Sequence, residues 1–398
     1  MKLISDIELS NIDKHSVDGE SPVLLCNYLD VYRNDRIVNT MDFMKATASE
    51  EQIRRLSLQR HDVIITKDSE DPTDIGIPSL VEDELKGVVC GYHLALIRSG
   101  EKLHGPFLNN AILSNQSKAY FRTEAVGMTR YALGKTSISD TPIPLPPSEE
   151  QRAIASFLDR EICKIDILIR EQKELITLLQ EKRQALISNT VTKGMNPKAK
   201  MKDSGVEWLG EVPLHWELKR LRRLCQITTG DKDTENRIHD GKYPFFVRSQ
   251  EVERIDSYTF DGEGILTAGD GVGVAKVFHY YEGKLDFHQR VYLLYNFKAE
   301  IKGLFLFEYI RENFQKEVLK LSAKSTVDSL RMPMFQDFPV LVPPVKEQKT
   351  ILEYLNKEIG KIDDLIREAE ETINLMHEHR ASLISEAVTG KIDVRHLA

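Results

Sequence analysis

PPSEEQRAIASFLDREICKIDILIREQKELITLLQEKRQALISNTVT, Pro146 to Thr192, returns as PPVKEQKTILEYLNKEIGKIDDLIREAEETINLMHEHRASLISEAVT, Pro343 to Thr389. The offset is a constant 197 residues without a gap, and about half of the aligned positions are identical. Each copy opens on a proline pair, which stops a preceding strand and suits a helix start. Each then runs on without Pro or Gly, apart from Gly360 in the second. Along the first copy Leu158, Ile162, Ile165, Ile169, Gln172, Ile176, Leu179, Arg183 and Leu186 fall at alternating steps of four and three. Leu355, Ile359, Ile362, Ile366, Ala369, Ile373, Met376, Arg380 and Leu383 do the same along the second. That 3.5-residue period describes a coiled-coil seam, a narrow apolar stripe buried only against another helix of the same period. Some 45 residues at about 1.5 Å each make a rod of roughly 65 Å, the length of a spacer. A homodimeric coiled coil or an ordinary bundle helix would carry the same pattern. A partner in the same chain sits at far higher effective concentration than a second chain, however, so the copies are expected to pair with each other. Antiparallel pairing is expected, because each copy adjoins a compact domain that would sit at an opposite end.

Residues 1–145 and about 206–340 are similar in length, and both read as mixed α/β with many short strands. The repeat reaches back into their ends: Leu133 to Pro147, LGKTSISDTPIPLPP, and Leu330 to Pro344, LRMPMFQDFPVLVPP, keep the 197-residue offset and share Asp140/Asp337 and Pro142/Pro339. Farther upstream the match loosens. Ser21 to Asp35 resembles Tyr243 to Asp256, and Arg60 to Pro78 resembles Thr267 to Phe287, while the interiors otherwise differ. The domains expected are 1–145, a central helix and linker over 146–205, 206–340, and a distal helix over 341–398.

Composition bounds the function. The 398 residues are 41% hydrophobic and 29% charged, enough for several separate cores, and no apolar run approaches the roughly 18 residues of a membrane span. The start, MKLISDIELSNIDK, lacks the layout of a signal peptide, so the cytoplasm is the expected location. Cys26, Cys90, Cys163 and Cys225 are scattered singly and read as reduced, buried thiols with no metal framework. The net charge of −8 counts against a simple nucleic-acid binder. Residues 1–145 carry 16 Lys+Arg against 21 Asp+Glu, and 206–340 carry 19 against 21, so any DNA contact must use local basic clusters or borrow phosphate affinity from a partner.

Catalytic patterns are weak. Phe260 to Gly264, FDGEG, matches the F-x-G-x-G cofactor loop of adenine methyltransferases, but the residues after it read as glycine-rich turns around Gly269, Gly271 and Gly273 and then a strand, not a helix. No [DNS]-P-P-[YF] segment stands ready to hold a flipped adenine, and no GxxxxGK[ST] occurs. Asp74 with Glu84 and Lys86 is the nearest approach to a magnesium nuclease, and His377 and His379 read as solvated.

Several stretches carry a specific resemblance: PLPPSEEQRAIASFLDRE with KIDILI, ALISNTVTKG, MKDSGVEWLGEVPLHWELKRL, and LISEAVTGKIDVR. They resemble the conserved regions of the specificity subunits of Type I restriction-modification systems. The likeness covers essentially the whole chain in layout, although the N terminus lacks an equivalent of WLGEVPLHW. It implies an α+β protein: two globular α/β target-recognition domains separated by two long helices forming an antiparallel coiled coil, in a circular pseudo-twofold repeat. It also implies double-stranded DNA, two modification (methyltransferase) subunits and restriction subunits as partners. The DNA would be a bipartite asymmetric site, with adenine methylation directed to it. S-adenosylmethionine, ATP and magnesium are expected in those partners and no cofactor in this chain, which is read as non-catalytic. The reading from another class is a two-module protein-binding scaffold without a DNA role.

For base readout the useful side chains are Arg and Lys toward guanine and Asn and Gln toward adenine, with Tyr, Ser or Thr in support. The candidates in the second module are Arg248, Ser249 and Gln250 at a strand end, Lys276 after the glycine turn, Gln289 and Arg290 before the next strand, and Lys324, Ser325 and Thr326 in a polar loop. Asn27, Tyr28, Thr66, Lys67, Thr129, Arg130 and Tyr131 occupy comparable places in the first.

Overall fold

The computed structural model describes residues 1–271, 275–322 and 329–396, which form two compact units: residues 1–173 with 370–398, and residues 174–369. The candidates Lys324, Ser325 and Thr326 lie outside the described residues.

The first unit runs β1 (Ser5–Leu9), β2 (Ser21–Cys26), α1 (Tyr28–Arg33), β3 (Arg36–Ile37), β4 (Met44–Ala48), α2 (Glu50–Leu56), β5 (Val63–Thr66) and β6 (Asp68–Ser69). It continues with β7 (Pro78–Val81), β8 (Val88–Cys90), β9 (Leu94–Ser99), α3 (Gly105–Leu113), α4 (Asn115–Glu124), β10 (Tyr131–Ala132), α5 (Lys135–Ser139) and the start of α6 (Ser148–Lys193). Capping boxes at Asn27/Asp30 and Ser49/Gln52 fix the starts of α1 and α2. One sheet has the order β1-β9-β5-β7-β3, with only β3 parallel to its neighbour, and a second has the order β4-β2-β8. The apolar run VIIT of β5 is buried throughout, as a central strand requires.

The second unit takes up the end of α6. A hairpin of β11 (Met201–Asp203) and β12 (Glu211–Pro213) comes next, then β13 (Glu217–Arg220), β14 (Gln226–Thr229), β15 (Tyr243–Phe246), β16 (Glu253–Ile255) and β17 (Phe260–Ala268). After these come β18 (Phe278–Phe287), β19 (Val291–Tyr295), α7 (Gly303–Ser322), α8 (Met332–Gln336), β20 (Pro339–Val342) and the first part of α9 (Val345–Val388). Its main sheet has the order β14-β19-β17-β18-β15-β16.

The two sheets share a plan that their sequences hide. β14, β19 and β17 repeat β1, β9 and β5, and the ten-residue β18 does in one strand what β7 and β8 do in two. β15 lies parallel to the end of β18, with Phe246 opposite Phe287, as β2 lies parallel to β8, with Cys26 opposite Cys90. This corrects one sequence match. Val63–Thr66 takes the place of Ile265–Ala268 in the sheet, one strand earlier than the pairing of Arg60–Pro78 with Thr267–Phe287 implies. A turn, a strand and a loop recur at every step of a meander, so local pattern alone does not fix which strand is which. FDGEG lies inside β17, with Gly264 opposite both Tyr281 and Tyr295, so it is ladder backbone and not a loop before a helix.

Both long helices are continuous, 46 and 44 residues. In the first unit Ile154 to Leu158 of α6 shares a core with Ile384 to Val388 of α9. In the second, Ile187 and Val191 share one with Ile351 and Leu355. Rising numbers on one helix thus meet falling numbers on the other, so the pairing is antiparallel. Every seam position on both helices is buried or half-buried. The arginines in the seam are matched by aspartates from the facing helix: Arg183 Nε lies 3.0 Å from Asp363 and Arg380 Nε lies 3.4 Å from Asp166. These two pairs are the same pair under the 197-residue offset.

Both ends of the chain close the first unit. The Met1 amino group donates to the Thr141 carbonyl (3.1 Å), and Ile392 and Val394 pack on its core. In the second unit the segment WLGEVPLHW supplies β12, the second strand of the hairpin, a fully buried Trp216, and Trp208, whose Nε1 donates to Glu317 (2.6 Å). Three of the four cysteines are buried as expected, and burial pushes the Cys225 thiol up to about 12. Cys163 differs: it faces outward from α6, off the seam. No helix among the described residues is long and apolar enough to cross a membrane.

Candidate nucleic-acid interface

In each unit one corner of the sheet gathers polar and aromatic side chains. In the first, the corner forms where β2, β5 and the segment before β9 meet the loop ending in β10. Tyr28 and Tyr32 stack with ring centres 5.6 Å apart, and Tyr32 donates to Asp74 (2.6 Å). Burial, and next Asp74, push the Tyr28 phenol above its ordinary value, while Arg130 pulls it the other way, so these groups share one neighbourhood. Lys67 Nζ lies 3.6 Å from Asp68 and 5.2 Å from the centre of the Tyr92 ring. His93 Nδ1 lies 2.5 Å from Asp68, and the Arg130 guanidinium rests against the same imidazole at 3.3 Å and 3.5 Å. Tyr131 sits opposite Ser69 in the short β10–β6 ladder, and Thr129 is exposed beside it.

Two of the residues proposed from sequence are structural. Asn27 caps α1, accepting from the amides of Leu29 and Asp30. Thr66 is fully buried, and its hydroxyl accepts from the Ile77 amide (3.0 Å), which withdraws it from the surface.

In the second unit Arg248 and Arg290 converge on one carboxylate, at 3.3 Å from Oδ1 and 2.7 Å from Oδ2 of Asp270. Gln289 Nε2 donates to Asp233 (2.6 Å). Between them His288 is buried, and burial lowers its pKa, so the neutral ring accepts from the Arg290 amide at Nδ1 (3.0 Å). A recess of about 230 Å³ opens beside Gln289 and Arg290. The Ser249 hydroxyl donates to the Glu251 carbonyl and Gln250 is exposed, both on the loop that leaves β15 with Arg248. Lys276 is exposed on the turn before β18.

The two corners share their backbone hydrogen bonds and bridge partners position by position. Lys67 N donates to His93 O (3.0 Å) where Gly269 N donates to Arg290 O (2.8 Å). Leu133 N donates to Lys67 O where Leu330 N donates to Gly269 O. Ala132 faces Asp68 where Ser329 faces Asp270. Gly91 N donates to Cys26 O where His288 N donates to Phe246 O, which sets Tyr28 in the place of Arg248. Gly269 is required there, since a Cβ would stand 2.8 Å from the Arg290 carbonyl and from the Tyr292 ring. Asp68, Asp270, His93, Asp233 and His288 escape sequence reading, because their roles depend on which strands are neighbours.

The model for the Type I restriction modification DNA specificity domain matches residues 30–178 and again 213–375. The EcoDI specificity subunit of Escherichia coli is 28% identical over 183 residues, 46% of this chain but only 40% of that protein. The MjaVIII specificity subunit of Methanocaldococcus jannaschii is 24% identical over 96% of this chain and 88% of that one. Among solved structures, a chain from a type I R-M system described for its complex assembly and conformational transition superposes with a TM-score of 0.70 at 16% identity, covering 97% of both chains. The HsdS subunit of Thermoanaerobacter tengcongensis gives 0.56 at 17% identity, over 94% of this chain and 92% of its own. Two domain matches that together take in most of the sequence, one on each unit, place the chain in the family of Type I restriction-modification specificity subunits.

Proposed function

We propose that this chain reads DNA for a Type I restriction-modification enzyme, each unit contacting one half of a bipartite, asymmetric double-stranded site. Two methyltransferase subunits holding S-adenosylmethionine then methylate adenine, restriction subunits with ATP and magnesium add cleavage, and the chain itself supplies no catalytic group. Such a complex works in the cytoplasm. The observation that carries the reading is that one backbone corner, built twice, presents different side chains: Tyr28 and His93 in the first unit, Arg248 and Arg290 in the second. A reader of two different half-sites needs that combination, a common frame with different base-edge chemistry. Because the chain is acidic overall, much of the phosphate affinity would come from the partners. The family membership favours this reading over a protein-binding scaffold.

Exchanging residues 206–340 for the corresponding segment of another specificity subunit, in cells that also carry the methyltransferase, tests it. Methylome sequencing is expected to show a new motif altered in one half only. Alteration of both halves would contradict independent modules, and no sequence-specific adenine methylation with the native chain would contradict the reading itself.

A further inference from the structure

Two equivalent positions in the corners carry different nitrogen-bearing side chains, each set against an aspartate carboxylate. The residue before β9 is His93 and the residue before β19 is Arg290. Each faces the carboxylate that stands two residues past the end of the neighbouring strand, Asp68 after β5 and Asp270 after β17, at 2.5 Å and 2.7 Å. From this we infer that positions 93 and 290 are the base-reading positions of the two modules, that Asp68 and Asp270 are positioning residues that aim them, and that Arg290 reads a guanine in the half-site of the second module. The inference rests on the reading of the modules as DNA-recognition modules and adds the base and the residue.

Burial separates the two members of the pair. Asp270 is mostly buried, with a side chain 14% exposed, whereas that of Arg290 is 61% exposed. The carboxylate divides its two oxygens between Arg290 and Arg248, so each guanidinium is held through Nη1 alone while its side chain stays 61% and 47% exposed, respectively. A guanidinium held through one nitrogen keeps further N–H donors in its planar fork, and guanine offers matching acceptors, O6 and N7, in the major groove.

The backbone beneath is held from several sides. The Arg290 amide donates to the buried His288 ring, its carbonyl accepts from Gly269, and the neighbouring Gln289 amide donates to Lys232 O (2.8 Å). In the first module His93 itself adopts φ +68°, a left-handed conformation that non-glycine residues seldom take outside constrained sites. It is held by Lys67 N and Asp68, with Arg130 against the ring. A pair serving stability alone would not need a strained backbone on one side and two converging cations on the other.

The test uses the chain assembled with its methyltransferase subunits and duplexes in which each guanine of the native site is replaced in turn by 7-deazaguanine, which lacks the N7 acceptor. With the native complex, one replacement in the half-site of the second module is expected to weaken binding on the order of ten- to hundredfold. With Arg290→Gln the same replacement is expected to have no further effect, while responses in the other half-site stay as they were. Asp270→Asn is expected to reduce the native response at that guanine without abolishing it, and His93→Ala to change the other half-site only. Thermal melting of each variant shows whether it remains folded. If the Arg290→Gln complex still responds to deazaguanine at every position as the native complex does, or if the half-site of the second module contains no guanine, the inference is wrong while the proposed function stands. If the native complex discriminates no sequence at all, the proposed function fails first.

Discussion

Replacing Gln348 with leucine is expected to destabilise the second unit by about 2–4 kcal/mol, and replacing Gln151 with leucine to do the same to the first. Gln348 is fully buried near the start of α9. Its side chain accepts from the Lys302 amide (2.9 Å) and donates to the carbonyls of Glu300 and Pro343 (both 2.8 Å). Gln151 does the same near the start of α6, accepting from His104 N and donating to Lys102 O and Pro146 O. One amide thus ties the proline turn and the first turn of the shorter helix, α3 or α7, to the long helix. Leucine fills the same space but leaves three backbone groups without partners. Each lost partner costs about 1–3 kcal/mol when buried and less where water can reach it, which sets the range. The readout is simple because both tryptophans, Trp208 and Trp216, lie in the second unit. In a denaturant titration Gln348→Leu should shift the tryptophan fluorescence transition, while Gln151→Leu should shift the circular dichroism transition and leave the fluorescence one nearly in place. An unmoved fluorescence transition in Gln348→Leu would mean that the clamp is dispensable.

In the proposed complex, charging a pair of exposed leucines is expected to remove one methyltransferase subunit without unfolding the chain. Leu168 and Leu375 of the first unit are 44% and 64% exposed, and their equivalents Leu365 and Leu178 of the second are 50% and 62% exposed. Each precedes a seam residue by one position, which puts it on the flank of the helix pair and out of the seam. Large apolar side chains exposed at matching positions of a duplicated scaffold suit two copies of one partner. Burying a leucine contributes about 1.5–3 kcal/mol, so aspartate at both positions of a pair should weaken one docking event by a hundredfold or more. Native mass spectrometry is expected to give one methyltransferase subunit bound for Leu168→Asp with Leu375→Asp, and none when Leu178→Asp and Leu365→Asp are added. Two subunits on the fourfold variant would place the docking surface elsewhere.

The antiparallel pair is legible because a heptad is a one-dimensional code. Leu158, Ile162 and Ile165 declare a seam whatever else the chain does, and an identical period 197 residues on declares its partner. The common plan of the two modules is not legible. A sheet accepts any sequence that puts apolar residues on its buried face, so VIIT and ILTA can occupy one strand with scarcely a residue in common. Polar candidates meet the same limit. Arg248, Gln289 and Arg290 stand out as strand-end residues with groove chemistry, but the same rule selects Asn27, which caps a helix, and Thr66, which is buried.

By itself the sequence determined the duplication, the helical spacers and their seam, and the family, since all of these are periodic or local and need no knowledge of neighbours. Only the tertiary structure decided that Asp68 meets His93 and that Asp270 gathers Arg248 and Arg290, because those contacts join strands 20 or more residues apart. Their geometry is set by the register of the hydrogen-bonded ladder. No local signal encodes that register, and only burial of the whole sheet selects it.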